Sequence, residues 1–155
     1  MFVEFSKMPN TSRVWVYPSE RKFNLQEINQ ITFKIENFCN TWTTHDKPVV
    51  SSFKIEKWFI LLFVDETEYD ISGCSIDKSI LLIQSLGTEY NIDFFNRLNI
   101  LFIENNMTKI LPLLKFKDVV SPNYIVYNTL VKDKSDFLEN WKVPVTTTWL
   151  NKYIK

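Results

Sequence analysis

The chain has 155 residues, and its 18 Lys plus Arg are balanced by 18 Asp plus Glu. It therefore lacks the basic excess with which proteins neutralise nucleic-acid phosphates and gives no strong nucleic-acid signal, which leaves only a local basic patch open. Hydrophobic residues make up 45% and charged residues 23%, a balance that excludes disorder and fibrous repeats and suits one globular domain over residues 1–155.

In chain order, residues 1–11 carry Glu4 and Lys7 and no sustained apolar stretch, so a less ordered N-terminal segment without a secretory signal is expected. Val14, Trp15, Val16 and Tyr17 have high strand propensity and are stopped by Pro18, which predicts a first strand at Arg13 to Tyr17. Asn24 can cap a helix whose apolar positions Ile28, Ile31, Ile35, Phe38 and Trp42 recur at spacings of three and four, with Glu27 among the polar positions. Cys39 lies beside that stripe as a small core residue. After the polar break Thr43 to Pro48, Val49 to Ile55 and Trp58 to Val64 read as an antiparallel hairpin around Glu56 and Lys57. Trp58 to Val64 is also the longest apolar run, far short of the roughly 20 residues a membrane span needs.

A second amphipathic helix follows Ser72 and Gly73 on the positions Ile76, Ile80, Ile83, Leu86 and Tyr90, with Gly87 as an early stop. Asn99 to Glu104 predicts a strand, and Pro112 leaves Met107 to Val120 ambiguous between strand and helix. Tyr124 to Val131 predicts another strand. Ser135 and Glu139 open a short helix that Pro144 ends, and Thr147 or Thr148 starts a last turn through Trp149 and Tyr153. The charges Lys132, Asp133, Lys134 and Asp136 alternate in sign, the pattern of a solvated turn. This order predicts an α+β sandwich with a mainly antiparallel sheet and two principal amphipathic helices.

Chemistry-bearing residues are few. Cys39 and Cys74 are the only thiols and His45 the only histidine, which rules out the familiar zinc constellations and a disulfide scaffold and favours a reduced, cytoplasmic chain with no metal. Asp65 and Glu66, at the end of an apolar strand, form a candidate acid/base pair.

The segment SGCSIDKS, Ser72 to Ser79, supports three readings. As a phosphate loop it would use Gly73, Ser75, Lys78 and Ser79 ahead of an apolar helix, an anion or nucleotide site. The spacing from Gly73 to Lys78 is one residue short, no second Gly precedes Lys78, and Asp77 repels phosphate. As a primed thiol, Cys74 would lie at the positive end of a helix dipole, with His45 as base if the fold brings it alongside. As a helix start, Gly73 allows the turn, Cys74 or Ser75 caps, and Asp77 complements the dipole, which explains all eight residues without a ligand.

The stretches SRVWVYPSERKF (Ser12 to Phe23), NTWTTHDKP (Asn40 to Pro48), FILLFVDE (Phe59 to Glu66), SGCSIDKS and NTLV...ENWKVPVTTTW, closing at Trp149, together resemble a group of small Bacteroidota proteins often labelled "ABC transporter ATPase". The resemblance implies a bacterial cytoplasmic protein and, through its label, a nucleotide site at Gly73 to Lys78. It implies no catalytic residue, because the chain carries no P-loop, no LSGGQ-type segment and no acidic strand downstream of a P-loop. The function expected from the residues is a non-catalytic binding or interaction domain for a protein or small molecule, without a cofactor. A cysteine-dependent or redox-responsive protein using Cys74, and an anion binder at the Gly73 helix start, are the alternatives.

Overall fold

Phe59–Val64 (β5) is buried at every position, because both of its faces meet a core. The computed structural model describes residues 1–155. In it β5 pairs antiparallel with Arg13–Pro18 (β1) on one side and with Ser51–Glu56 (β4) on the other, giving a three-stranded sheet. Successive side chains on a strand point to opposite faces, and β5 obeys this strictly. Ile60, Leu62 and Val64 enter one core with Ile31, Ile35 and Cys39 of Leu25–Thr41 (α1) and Ile83 and Leu86 of Gly73–Tyr90 (α2). Phe59, Leu61 and Phe63 enter a second core with Val14 and Val16 of β1.

That second core is closed by another sheet, ordered Met107–Pro112 (β7), Asn99–Glu104 (β6), Ile125–Tyr127 (β8) and Lys142–Pro144 (β9), antiparallel throughout. Leu101 of β6 faces inward, while Ile100 and Phe102 face outward to a third core. There they meet Phe116 of Leu113–Val119 (α3), Val145, and Leu150 of the 3-10 turn Trp149–Tyr153. Lys134–Asn140 (α4) sends Phe137 into the middle core. The layers therefore run from two long helices through two sheets to short helices, and the chain is α+β with antiparallel sheets as expected.

Asn24 caps α1 with a full capping box: its side chain accepts from the Glu27 amide at 2.8 Å and Glu27 Oε1 accepts from the Asn24 amide at 3.0 Å. Glu27 is buried rather than on a polar face, because Arg21 grips its carboxylate with two bonds of 2.8 and 2.7 Å. Thr43–Thr44 (β2) and Lys47–Pro48 (β3) make a small ribbon whose turn residues, His45 and Asp46, both have positive φ. The β4–β5 turn at Lys57 and Trp58 needs none.

Several expectations are corrected. Residues 1–11 are tied down: the Met1 amine donates to the Cys39 and Val49 carbonyls at 2.7 and 2.8 Å, Phe2 bridges to Ser51, and Met8 is buried. Lys134 is buried too, its Nζ donating to the Phe5 and Met8 carbonyls at 2.8 Å, so the alternating charges do not form a solvated turn. Gly87 does not stop α2, which ends at Asn91 in the left-handed conformation. The ambiguous segment is strand then helix. Asn105 and Asn106 supply the positive φ of a tight hairpin turn, and Pro112 ends β7 and precedes α3. The cap of α4 is Asp133, not Ser135, and Pro144 lies within β9 instead of ending the helix.

Candidate functional site

The residues of SGCSIDKS are helix from Gly73 onward, and the cap is Ser72 rather than Cys74 or Ser75. Ser72 Oγ accepts from the Ser75 amide at 3.2 Å, and the Ser72 amide donates to Thr44 Oγ1 at 2.9 Å. Ser75, Ser79, Ile83 and Leu86 form the buried stripe of α2. The Ser75 hydroxyl donates to the Thr43 carbonyl at 2.8 Å, its own carbonyl accepts from Trp42 Nε1 at 2.9 Å, and the Ser79 hydroxyl donates to the Ile76 carbonyl at 2.6 Å. Ser75 is the small residue at which α2 meets Trp42 and the β2–β3 ribbon. Gly73 has room for a Cβ and no positive φ, so no loop geometry depends on it.

The fold does bring the His45 turn to the start of α2, through the bonds from Ser72 and Ser75 to Thr44 and Thr43. Cys74 and His45 are both exposed there, as are Gly73 and Lys78, whereas Ser75 and Ser79 are buried and engaged. Asp65 and Glu66 hold the segment between β5 and α2. Asp65 Oδ1 accepts from the Thr67 amide and hydroxyl at 2.9 and 2.7 Å, Glu66 Oε2 accepts from the Ile71 amide at 2.9 Å, and Glu66 pairs with Arg13 at 3.7 Å. Burial pushes the Cys39 thiol up to about 11, which keeps it protonated and inert.

Of three concavities of similar volume, the one with the most apolar lining lies elsewhere, where the outer edge of β1 faces the second sheet. It is a cleft of about 580 Å³ whose 17 lining residues include 11 hydrophobic ones, among them Val14, Val16, Leu130, Val131, Trp149 and Leu150. Leu130 and Trp149 are 71% and 47% exposed, so much of this apolar surface is open. Polar groups on the wall are Asn99, Asn128, Thr129 and Thr148, and Arg97 is the only charged residue lining it. Arg97 Nη1 donates to the Val16 carbonyl at 2.9 Å, which fixes the guanidinium at the strand edge. Its charge also reaches Tyr17, whose hydroxyl is nevertheless held above its ordinary range chiefly by burial.

None of these cleft residues carries a sequence motif. The one available signal was Trp149 beside Thr148, a large ring in a short terminal turn, and Thr148 does cap that turn by accepting from the Leu150 amide at 3.2 Å. No helix is long and apolar enough to cross a membrane. No family model matches the chain, and no curated protein or solved structure resembles it.

Proposed function

We propose that this protein is a non-catalytic binding domain whose ligand occupies the cleft between the β1 edge and the second sheet. The observation that carries the reading is the lining of the cleft: a mainly apolar wall with a few placed polar groups is that of a ligand site. Arg97, anchored on Val16, gives the ligand an orientation by offering one fixed cation at an otherwise uncharged wall. Leu130 and Trp149 leave apolar area exposed that a ligand would remove from water, at about 25 cal/mol per Å².

The test is a titration with the neutral apolar dye N-phenyl-1-naphthylamine, read by dye fluorescence. Saturable binding is expected, weakened at least tenfold by Leu130→Asp, a change at an exposed position that leaves the melting temperature in place. Absent binding, or binding that Leu130→Asp does not alter, would overturn the reading. The nucleotide site implied by the family label is checked separately by melting with excess ATP, which would raise the transition if ATP bound the native chain.

A further inference from the structure

The cleft does not lie on a face of the first sheet. Val14, Trp15, Val16 and Pro18 all line it, and consecutive strand residues point to opposite faces, so what they share toward it is the outer edge of β1. The register defines which backbone groups point there. Ser19 donates to the Trp58 carbonyl at 2.8 Å and Arg13 aligns with Val64. Residues 13, 15, 17 and 19 therefore turn their amides and carbonyls to β5, and residues 12, 14, 16 and 18 turn theirs outward.

Part of this outer edge is already used. Ser12 O accepts from Lys134 N at 2.9 Å, Val14 N donates to Lys132 O at 3.3 Å, and Val16 O accepts from Arg97. Pairing then stops, because the Lys132 amide turns to the Asp136 carboxylate at 3.0 Å instead of continuing to Val14 O. The Val14 carbonyl and the Val16 amide are left facing the cleft with no partner from the chain, on residues only 8% and 5% exposed. Backbone N–H and C=O groups are obligatory hydrogen-bonding groups, so this window offers one acceptor and one donor to whatever occupies the cleft.

Antiparallel addition meets it poorly, since there each paired residue exchanges both bonds with one edge residue: two incoming residues would make one bond each and leave their other groups facing Val14 N and Val16 O, which are engaged. Parallel addition meets it fully, because one incoming residue donates its N–H to Val14 O and accepts from Val16 N. The next N–H of such a strand would seek Val16 O, where the Arg97 guanidinium already sits. A chain that ends one residue earlier instead places its terminal carboxylate beside that cation, at a wall with no competing acid. In the other direction the Lys132–Lys134 segment covers the edge, so only the last two residues of the incoming chain lie on β1. From these three constraints we infer that the cleft takes the C-terminal tail of another polypeptide, added parallel to β1, with its penultimate residue bridging Val14 and Val16 and its free α-carboxylate on Arg97.

This inference rests on the cleft being a ligand site, and its test keeps the two apart. The probe is a pool of N-acetylated pentapeptides with apolar final residues, competed against N-phenyl-1-naphthylamine, in three forms: free acid, C-terminal amide, and free acid N-methylated at the penultimate amide. The free acid is expected to displace the dye at a concentration at least tenfold below the other two. In Arg97→Met the preference for acid over amide falls to about onefold while that for the unmethylated form persists. A dye that binds but is displaced by no peptide, or equally by acid and amide, overturns the peptide inference and leaves the cleft reading standing. A dye that fails to bind overturns both.

Discussion

Glu27 and Lys134 show how much single buried charges hold here. The Glu27 carboxylate is about 2, well below its ordinary value, first because Arg21 bonds to it and then because the Asn24 amide does, against an opposing effect of burial. A depressed folded-state pKa contributes stability above the unfolded value, roughly 4.3, that is lost as pH falls toward about 2. Urea unfolding should therefore lose stability between about pH 5 and 2, and Glu27→Gln should flatten that loss. The Arg21 partner is 44% exposed on its side chain, so solvent screens the pair and the substitution should cost about 1–2 kcal/mol at pH 7. Lys134→Met keeps the buried stem but leaves the Phe5 and Met8 carbonyls unpaired and removes the ammonium 4.5 Å from the Phe5 ring. A loss of about 2–3 kcal/mol is expected, with faster proteolysis around Lys7 as the local readout. The thiols differ in the same way: one equivalent, Cys74, should react with Ellman's reagent in native buffer, and Cys39 only with unfolding. Two reactive thiols in the folded chain would contradict the burial of Cys39.

Among elements, α2 is the clearest case of a helix whose existence was legible and whose buried face was legible only in its second half. Hydrophobic periodicity picks Ile76, Ile80, Ile83, Leu86 and Tyr90, but the buried positions are Ser75, Ser79, Ile83 and Leu86. Close approach to Trp42 and the ribbon needs a small side chain at Ser75, and both serines satisfy their hydroxyls, on the Thr43 and Ile76 carbonyls. Capping at Asn24 and Thr148 could be read because those signals are local. The Asn105–Asn106 turn, also local, resolves the segment that Pro112 made ambiguous. The cleft could not be read, since it joins residues 14–18, 97–101, 126–131 and 148–150 and depends on where strand pairing stops. The two glycines of α2 separate packing from propensity. A Cβ at Gly87 would meet the Ile92 carbonyl oxygen at 2.5 Å, backbone that cannot swing away, whereas one at Gly73 meets nothing within 4 Å. Gly87→Ala should destabilise by about 1–3 kcal/mol despite its better helix propensity. Gly73→Ala should be neutral or stabilising by up to about 1 kcal/mol. Shifts of the same sign would refute the packing argument.

For the whole molecule, β5 is what joins the layers. Its Ile60, Leu62 and Val64 belong to the core under α1 and α2, and its Phe59, Leu61 and Phe63 to the core shared with the second sheet. In that middle core Phe5, Phe59, Phe63, Tyr127, Phe137 and Trp141 make a continuous ring array, with centroids 4.7 to 6.0 Å apart. These rings come from both sheets, from α4 and from the N-terminal segment, so the second sheet cannot leave without stripping one face of β5. We therefore expect one cooperative unfolding transition, with far-ultraviolet and near-ultraviolet circular dichroism coincident in urea. Ile60→Ala and Leu61→Ala, neighbours that face opposite cores, should each cost about 2–5 kcal/mol and lower the midpoint without splitting the curve. An alternative in which the segment after Asn91 folds apart from the first sheet makes a different prediction. Leu61→Ala would then release the second sheet early and separate the two signals, while Ile60→Ala would leave that sheet's transition in place. Coincident curves in both variants would establish residues 1–155 as one folding unit, with the β1 edge held rigid by the same strand that organises both cores.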